Sequence, residues 1–530
     1  MGINTKTLNK LLPNRFFNVK ARESKKEICG TAAVVFICVS VSMEEEDFGA
    51  KLLKKEGGTL SPRPTLDQQI KRLFPFSPTP GQEVLFKKMA GWLEHPKSER
   101  PVFILRGYAG TGKTAFLSTL LKVLGRVKLN SQLMAPTGRA SKVIRSYTQR
   151  TALTIHKRVF RFQVDEWGYP QLKRQRNSFS NTLFVVDEAS MLGNNSDYGS
   201  KGLLEELIAY VFEGKNNRLL LIGDTAQLPP VGTDLSPALK AEEMESRFHL
   251  QIVQHELEDV VRQEKDSGIL FNATLLREAI RGHQESFAFQ TVGFPDIFKM
   301  KSAKVSEGLQ YAYDKFGMEN SLVVTRTNKQ ALNYNKLIRH HLLYREEELE
   351  SGDWLMVVKN NYSVLEADAD QGFLANGDLA MVKRVLRYRE SDFIRLVEID
   401  MVLADDENQE AISCLCTAEL LYSDLPQLPD DKIKKMQEGL LKEWEEEEPS
   451  LKKRWARLKS DASANPVQVK FGYALTCHKA QGGQWDAVFV DHGWMKEGPL
   501  DTEFYRWLYT AITRARQQVF LVDLDPRLLD

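Results

Sequence analysis

Pro101-Val-Phe-Ile-Leu-Arg106 runs directly into Gly107-Tyr-Ala-Gly-Thr-Gly-Lys-Thr114, and this stretch decides the fold. The first half is a short apolar run, typical of a buried parallel strand. The second half fits the phosphate-binding pattern G-x-x-x-x-G-K-[ST], and Ala115–Leu124 after it predicts a helix. The glycines let backbone amides surround phosphates, Lys113 would reach the β- and γ-phosphates, and the Thr114 hydroxyl is placed to bind Mg²⁺. The stretch therefore predicts a nucleoside triphosphate site.

A pair of carboxylates completes this site. Phe184-Val-Val-Asp187-Glu188 is an apolar strand pattern that ends in two acids, at the strand end where ligands collect in open parallel sheets. Asp187 would hold Mg²⁺, and Glu188 would orient and deprotonate the attacking water. A base that acts on water indicates hydrolysis rather than phosphoryl transfer to another substrate.

Strand and helix patterns alternate along most of the chain, which predicts an α/β fold with parallel sheets. A first set of buried-strand patterns continues at Ser131–Ala135, Leu183–Val186 and Arg218–Ile222. A second set lies at Ser321–Val324, Ala487–Val490 and Val519–Val522. Between the parts of the second set, short alternating runs and a charged helical stretch, Asp430–Lys459, predict a small inserted β subdomain with a solvated helix. The sequence shows no internal repeat.

Composition limits the possible partners and compartments. The formal net charge is +1 over 530 residues, so a nucleic-acid site would have to be a local groove rather than the whole surface. The five cysteines have no spacing typical of disulfides or zinc, which favours reduced thiols and a cytoplasmic location without a membrane partner.

The N-terminal residues 1–75 are interpreted as a leader and linker. A basic segment is followed by the apolar run Ile28–Val41, which is too short for a membrane span, and an acidic stretch then begins at Met43. We expect Met43 to be the natural start, with a weak secretion signal or anchor as the alternative. Residues 44–75 are expected to form a linker or a loosely attached helix.

Several further motifs resemble those of superfamily 1 helicases, in particular the RecD and Dda branch that moves 5′→3′. The resemblance runs from Gln82 to Arg516 and is carried by these segments: Thr79-Pro-Gly-Gln82, Ala135-Pro-Thr-Gly-Arg139-Ala, Thr154-Ile-His156, Leu221-Ile-Gly-Asp-Thr-Ala-Gln-Leu-Pro-Pro230, Val260-Val-Arg-Gln263, Thr476-Cys-His-Lys-Ala-Gln-Gly482 and Tyr509-Thr-Ala-Ile-Thr-Arg-Ala-Arg516. It implies two RecA-like motor domains with parallel sheets, the first over residues 76–265 and the second over 266–344 and 465–530. The insertion, 345–464, would be an SH3-like subdomain with a charged helix.

The resemblance also implies a set of ATP-site residues. Gln82 would read adenine, Asp224 and Gln227 would sense the γ-phosphate, and Arg262 and Arg514 would act as arginine fingers. The catalytic set is then Lys113, Asp187, Glu188, Gln227, Arg262 and Arg514, with Thr114 and Asp187 as the Mg²⁺ ligands. The nucleotide-binding set is Gln82, Gly107, Ala109, Gly110, Thr111, Gly112, Lys113, Thr114, Asp224 and Gly482.

The implied partner is single-stranded DNA together with its junctions with duplex DNA. The predicted strand contacts are Pro136, Thr137, Arg139, Thr154, His156, Thr476 and His478. In the hairpin region 157–180, Trp167 or Tyr169 would stack on a base at the fork, unless these aromatic residues pack on a neighbouring domain.

The resemblance therefore implies an ATP-dependent DNA helicase that uses Mg²⁺, moves 5′→3′ and serves DNA repair, recombination or replication. Two alternatives remain open, an ATPase subunit of a nuclease or recombination complex and a translocase that displaces proteins. A single-strand-binding protein is another conceivable protein partner. A kinase or a GTPase is disfavoured, because Thr327-Asn328-Lys329-Gln330 has no aspartate for guanine and lies outside the first domain.

Overall fold

The computed structural model describes residues 64–96, 99–164, 170–193, 202–259, 266–282, 287–361, 363–365, 374–390, 393–404, 409–495 and 500–529. The predicted start at Met43 and the predicted leader lie outside these ranges and stay predictions. Within the segment expected to be a linker, Leu66–Leu73 forms helix α1, and its Leu66 and Ile70 are fully buried. This part of the chain is therefore packed against the first half of the molecule rather than loosely attached.

The first half of the molecule is built on a parallel sheet. Its strands and those of an adjoining hairpin are β1 (Pro101–Gly107), β2 (Asn130–Ala135), β3 (Ala152–Thr154), β4 (Phe160–Val164), β5 (Pro170–Arg174), β6 (Thr182–Val186), β7 (Arg218–Gly223) and β8 (Gln251–Leu257). The sheet order is β3-β2-β6-β7-β1-β8, with every neighbouring pair parallel. The antiparallel pair β4-β5 forms the hairpin. All four strands predicted here are confirmed, whereas the polar edge strand β8 and the short β3 were not predicted.

Helices cover both faces of this sheet. After α1 they are α2 (Pro80–Glu94), α3 (Lys113–Val123), α4 (Gly138–Thr148), α5 (Ile155–Val159), α6 (Leu203–Glu213) and α7 (Ala241–Phe248). Alternate residues of a strand point to opposite faces, so Phe103 and Leu105 of β1 join one apolar core while Val102 and Ile104 join the other. This double burial explains why the strands are continuous apolar runs.

The second half contains a second parallel sheet and an antiparallel one. Its elements are α8 (Gly268–Ile280), β9 (Ile297–Met300), α9 (Val305–Phe316), β10 (Ser321–Thr325), α10 (Asn328–Leu337), β11 (Trp354–Val357), β12 (Leu379–Glu390), β13 (Arg395–Leu403), β14 (Ile412–Thr417), α11 (Asp430–Glu443), α12 (Leu451–Ser460), β15 (Val469–Phe471), β16 (Ala474–Thr476), α13 (Cys477–Ala480), β17 (Trp485–Asp491), α14 (Thr502–Ile512) and β18 (Ala515–Val522). The parallel sheet has the order β16-β10-β17-β18-β9. The predicted α/β class with two parallel sheets is confirmed.

The insertion forms the antiparallel sheet, in the order β14-β13-β12-β11-β15. Its last strand, β15, lies past the predicted boundary at residue 464, and its likeness to an SH3 domain stays a prediction. The charged stretch expected as one solvated helix is two helices, α11 and α12, because the chain turns between Trp444 and Ser450. Met436, Trp444 and Leu458 are buried, so one face of this pair packs inward. Within the described ranges, no helix has the length and apolarity needed to cross a bilayer.

Candidate nucleotide cleft and strand groove

The phosphate loop joins β1 to α3. Gly110 and Gly112 have φ values of 75° and 86°, the left-handed region in which a side chain is strained. A Cβ atom on Gly112 would also lie 2.6 Å from Gln82 Nε2, so the loop needs glycine here for space as well as for conformation. The first residue of α3 is Lys113, and the helix N-terminus therefore faces the loop, where phosphates would bind.

Lys113 stabilises the loop from within. Its Nζ atom donates hydrogen bonds of 2.7 Å to the carbonyl oxygens of Gly107 and Tyr108. An ammonium group that already spans the loop can exchange these neutral acceptors for charged phosphate oxygens, which form stronger hydrogen bonds.

Gln82 is buried against the loop. Its Nε2 atom donates to the Thr111 carbonyl at 3.0 Å, and its Oε1 atom accepts from the Thr79 amide at 3.0 Å. An amide NH₂ has two hydrogens and an amide oxygen has two lone pairs, so one of each remains for a base. The adenine role implied for Gln82 is compatible with this geometry and stays a prediction.

The predicted acids line the same cavity as the loop. Asp187 Oδ1 accepts a 2.9 Å hydrogen bond from the Glu188 amide, and Glu188 has a left-handed backbone with φ of 54°. Burial raises the pKa of Glu188 above its ordinary value, and the positive charge of Arg514 offsets part of that rise. A strained acid with a raised pKa is a feature of catalytic sites, because a base whose pKa is closer to neutral accepts a proton more readily.

A cavity of about 600 Å³ contains the predicted nucleotide site. Thr114 and Asp187 both line it, and a hydroxyl with a carboxylate is an oxygen donor pair suited to Mg²⁺. The side-chain oxygen of Gln227 also belongs to this cavity and is buried without a hydrogen-bond partner in the described part of the chain. A buried acceptor of this kind fits a site that receives a ligand or an ordered water.

The second half of the molecule supplies the opposite wall of the cleft. Arg514 is 3% exposed and lines the cavity. Its Nε atom donates a 3.0 Å hydrogen bond to the carbonyl oxygen of Thr510, four residues earlier in the chain. The arrangement holds a guanidinium beside Glu188, as the predicted arginine finger requires. The other predicted finger, Arg262, lies outside the described residues and stays a prediction.

Tyr509 joins the two halves at the phosphate loop. Its hydroxyl accepts a 2.8 Å hydrogen bond from the Ala109 amide and donates a 2.7 Å hydrogen bond to Asp224 Oδ2. Because Asp224 Oδ1 accepts from the Ala226 amide, the carboxylate predicted to sense phosphate is held by protein groups on both oxygens. The sequence did not predict Tyr509 as a site residue, although it begins the last motif.

Three further contacts cross the same boundary. The Leu228 amide donates to Thr510 Oγ1 at 2.8 Å, and Gln481 Nε2 donates to the Leu228 carbonyl at 2.8 Å. Arg506 donates to the Thr225 carbonyl. The segment 224–228 of the first half is therefore in direct contact with segments of the second half that the sequence had assigned to separate motifs.

A tyrosine in the phosphate loop connects it to α8. The Tyr108 hydroxyl donates to Glu256 at 2.7 Å and accepts from Arg281 at 2.8 Å, and the guanidinium of Arg277 lies 4.7 Å from its ring centroid. Burial raises the pKa of Tyr108 to about 12. Sequence reasoning treated this position as an unspecified residue of the loop.

A groove of about 470 Å³ brings the predicted strand contacts together. Pro136 and Thr137 follow β2, Thr154 ends β3 with His156 just after it, and His478 follows β16 of the other sheet. Lys359, Asn360, Asn376, Gly377 and Lys479 also line the groove, so the insertion forms one of its walls. Neither the insertion residues nor Lys479 had been predicted to lie there.

The capping residues of two helices line this groove. Thr137 caps α4 by accepting a hydrogen bond from the Ala140 amide, and Thr154 caps α5 by accepting one from the Lys157 amide. A helix N-terminus attracts anions through its unpaired amides and its dipole. The groove is thus suited to the phosphates of an extended strand.

Two predicted strand contacts do not reach the groove. Arg139 stacks on Trp485 with 3.8 Å between the guanidinium carbon and the ring centroid, at the boundary between the halves. Thr476 is 9% exposed and is not among the residues that line the groove. The predicted pin residues Trp167 and Tyr169 fall in a segment that the structure leaves undescribed.

Gly482 lies where motifs of the two halves meet. Its φ is 73°, and a Cβ atom there would lie 2.8 Å from the Cβ of Ala140 and 3.1 Å from Thr137 Oγ1. This glycine, predicted to bind nucleotide, therefore allows the second half to approach α4 closely. It is not among the residues that line the nucleotide cavity.

Two family models match the chain. The AAA domain matches residues 94–233, which include the phosphate loop, the acid pair and the segment 224–228. The UvrD-like helicase C-terminal domain matches residues 471–522, which include β16, α13 and the strand after Arg514. The two matches therefore fall on the two halves that form the cleft.

Two relatives match most of this chain, but at low sequence identity. The chain is 24% identical over 465 residues to the ATP-dependent RecD2 DNA helicase of Deinococcus radiodurans, covering 84% of this chain and 50% of that protein. It is 22% identical over 484 residues to an uncharacterized protein of Acanthamoeba polyphaga mimivirus, covering 80% of this chain and 95% of that one. The chain thus spans about half the length of the RecD2 relative.

Solved structures of Pif1 helicases are similar at low scores. Pif1 from Bacteroides in complex with ADP-AlF3 and single-stranded DNA gives a TM-score of 0.41 at 15% identity, covering 85% of this chain and 94% of that one. Pif1 from Candida albicans gives 0.35 at 15% identity, covering 85% and 96%.

The two family models and the RecD2 relative indicate one class of protein. Over these matches the chain is similar to ATP-dependent DNA helicases of superfamily 1. Within that class the sequence likeness is to the RecD type, because the helicase relative is RecD2.

Proposed function

We propose that this protein hydrolyses ATP to move 5′→3′ along single-stranded DNA and to separate the strands at a fork. The main support is that one cleft and one groove are both built across the same two sheets. Lys113 and Arg514 face the cleft from opposite halves, and Thr137 and His478 face the groove from the same two halves. A movement of the two halves at the cleft would therefore also move the two walls of the groove relative to each other.

Each of the cleft residues has a different role in hydrolysis. Lys113 and the loop amides bind the phosphates, while Glu188 orients the attacking water and accepts its proton. Arg514 neutralises charge as the bond to the γ-phosphate breaks. Thr114 and Asp187 would hold Mg²⁺, which would neutralise phosphate charge when bound.

Closure of the cleft would couple hydrolysis to movement. ATP adds contacts between Arg514 and the phosphate loop, so the closed state is favoured while ATP is bound and is released after hydrolysis. Tyr509 and Arg506 already tie the second half to the phosphate loop and to the segment 224–228. Alternating grips by Thr137 on one side and His478 on the other would then produce directional steps.

Partners and location are part of the proposal. Single-stranded DNA and its junctions with duplex are the expected partners, with a nuclease complex or a single-strand-binding protein as further candidates. The described cysteines Cys414, Cys416 and Cys477 are buried free thiols, which supports a reducing, cytoplasmic location.

The test is ATP hydrolysis by the purified chain with and without oligothymidylate. We expect DNA to stimulate hydrolysis, and Glu188→Gln to reduce the stimulated rate by about 100-fold or more while DNA binding persists. Forked duplexes with a 5′ or a 3′ single-stranded tail then report direction, and only the 5′ tail should support unwinding. Hydrolysis that ignores DNA would overturn the motor, and unwinding from a 3′ tail would overturn the direction.

A further inference from the structure

Helix α4 extends from the strand groove to the nucleotide cleft. Thr137, which caps its N-terminus, lines the groove, and Tyr147 in its last turn lines the cleft. Ten residues of α-helix span about 15 Å. A hydrogen-bonded helix of this length moves largely as one body, so the two sites share a rigid element.

Tyr147 contacts the predicted Mg²⁺ carboxylate directly. Its hydroxyl donates a 2.8 Å hydrogen bond to Asp187 Oδ2, while the Glu188 amide donates to Oδ1. Among the described residues, each carboxylate oxygen thus accepts one hydrogen bond and keeps a lone pair for other ligands. The two donors together fix the plane of the carboxylate, and the Tyr147 hydroxyl is the one that belongs to α4.

The groove end of α4 is held by the second half. Gly482 packs on Thr137 and Ala140, and Lys142 forms a 3.6 Å ion pair with Asp378 of the insertion. A strand that enters the groove therefore touches the helix where elements of both halves already meet. Any shift of α4 in response is carried to Asp187 through the Tyr147 hydroxyl.

We propose that Tyr147 is a positioning residue that makes the orientation of Asp187, and hence its affinity for Mg²⁺, depend on DNA in the groove. The proposal rests on the proposed function, because it needs a strand in the groove and a nucleotide in the cleft. It adds a reason why DNA stimulates hydrolysis. A bound strand would set α4 in the position in which Asp187 faces the metal.

The matched variants are Tyr147→Phe, which removes only the hydroxyl, and Tyr313→Phe as a control. The Tyr313 hydroxyl is buried without a hydrogen-bond partner in the part of the chain that the structure describes. Tyr147→His serves as a second variant that keeps a donor. Thermal unfolding of each variant verifies that the fold is retained.

The readout is binding of a fluorescent ADP at increasing Mg²⁺, with and without saturating oligothymidylate. In the unmodified chain and in Tyr313→Phe, DNA should lower the half-saturating Mg²⁺ concentration by about five-fold or more, in the usual range of coupling between sites. In Tyr147→Phe this ratio should fall to within about two-fold of unity, with DNA affinity in the absence of nucleotide and Mg²⁺ unchanged. A partial return of the ratio in Tyr147→His would support a hydrogen bond to Asp187 as the link.

Two outcomes would overturn the proposal. One is a Tyr147→Phe protein that keeps the full DNA-dependent shift. The other is an unmodified chain whose hydrolysis is stimulated by DNA although its Mg²⁺ requirement is not shifted. Failure of the motor itself is recognised separately, since hydrolysis in the unmodified chain would then ignore DNA altogether.

Discussion

The segments Ala152–Lys157 and Ala474–Lys479 lie in different halves of the molecule and share five of six residues, Ala-Leu-Thr-Ile-His-Lys and Ala-Leu-Thr-Cys-His-Lys. Each is a three-residue edge strand followed by a short helix. Their threonines have nearly the same backbone, with φ and ψ of −69° and 152° at Thr154 and −69° and 151° at Thr476. Each segment presents a histidine to the groove, so the two sheets face the strand with the same element.

The two segments lead into different parts of the molecule. After Lys157 the chain enters the hairpin β4-β5, whereas after Lys479 it reaches Gln481 and Gly482, which contact the first half. The groove is therefore lined by the same short element in both halves, and the residues that follow the second element also contact the opposite half.

Gly482→Ala should produce the largest effect, because it breaks the feature that distinguishes the second segment. A left-handed alanine is strained by about 1–2 kcal/mol, and its Cβ would meet Ala140 at 2.8 Å. We expect DNA-stimulated ATP hydrolysis to fall by about 30-fold or more. DNA binding without nucleotide is measured alongside.

The matched control is Gly293→Ala. Gly293 also has a positive φ, of 88°, but a Cβ atom there would meet nothing within 4 Å. It therefore carries the backbone strain without the clash. Equal effects in the two variants would show that the approach of Gly482 to α4 has no part in coupling.

Substitution of the two histidines tests whether the two halves contribute equally to binding of the DNA strand. His156→Ala and His478→Ala should each weaken binding of labelled oligothymidylate by about 10-fold, the usual loss for a hydrogen bond to a charged group. The double variant should lose about the product of the two factors, since the residues lie on different sheets. Fluorescence anisotropy measures the affinities, with the exposed His95→Ala as control. An effect from only one histidine would contradict the equivalence of the segments.

Much of the fold was predictable because fully buried strands leave a continuous apolar pattern. Elements at the sheet edges were not: β8 is half polar, and β3 and β9 have only three and four residues. The expectation that the sequence has no internal repeat was wrong. A six-residue repeat becomes visible as a repeat only when both copies are found on equivalent edge strands.

The site was predictable only where adjacent residues carry its chemistry. The phosphate loop and the pair Asp187 and Glu188 are local patterns, so the sequence predicted their place in the cleft. Tyr509 contacts Asp224 across 285 positions, and Tyr147 contacts Asp187 across 40, so neither contact has a local signal. Arg139 was expected to contact the strand because of the resemblance of its motif, and its stacking on Trp485 had no signal in the sequence, since only the packed halves bring the two residues near.

Lys479, the last residue of the second segment, should make DNA affinity depend on pH. Burial, together with the charge of Lys470, lowers the pKa of Lys479 to about 8. Phosphate nearby favours the charged form, so affinity should be full below pH 8 and should fall as pH rises above it, by several-fold by pH 9. Lys479→Arg stays charged and should bind with little change from pH 7 to pH 9, at constant salt. A wild-type affinity that is flat over this range would show that Lys479 does not contribute charge to the groove.

The smallest expected difference is in the threonine caps. Thr154 Oγ1 accepts a 3.1 Å hydrogen bond from the Lys157 amide, whereas the Thr476 side chain makes no capping hydrogen bond to α13. Loss of a capping side chain costs about 1 kcal/mol, so Thr154→Ala should lower the free energy of unfolding by about that amount. Thr476→Ala should cost less, because it removes no cap.

Urea denaturation measures this difference, with Thr154→Ser expected to restore most of the loss. The result bears on how the repeat works, since two threonines with the same backbone angles have different partners. If Thr476→Ala costs as much as Thr154→Ala, then Thr476 stabilises its segment by packing. Its equivalence to Thr154 would then lie in backbone shape rather than in the hydrogen bond. The common function of the two segments would in that case rest on the direction of the helix N-terminus and on the histidine that comes after the threonine.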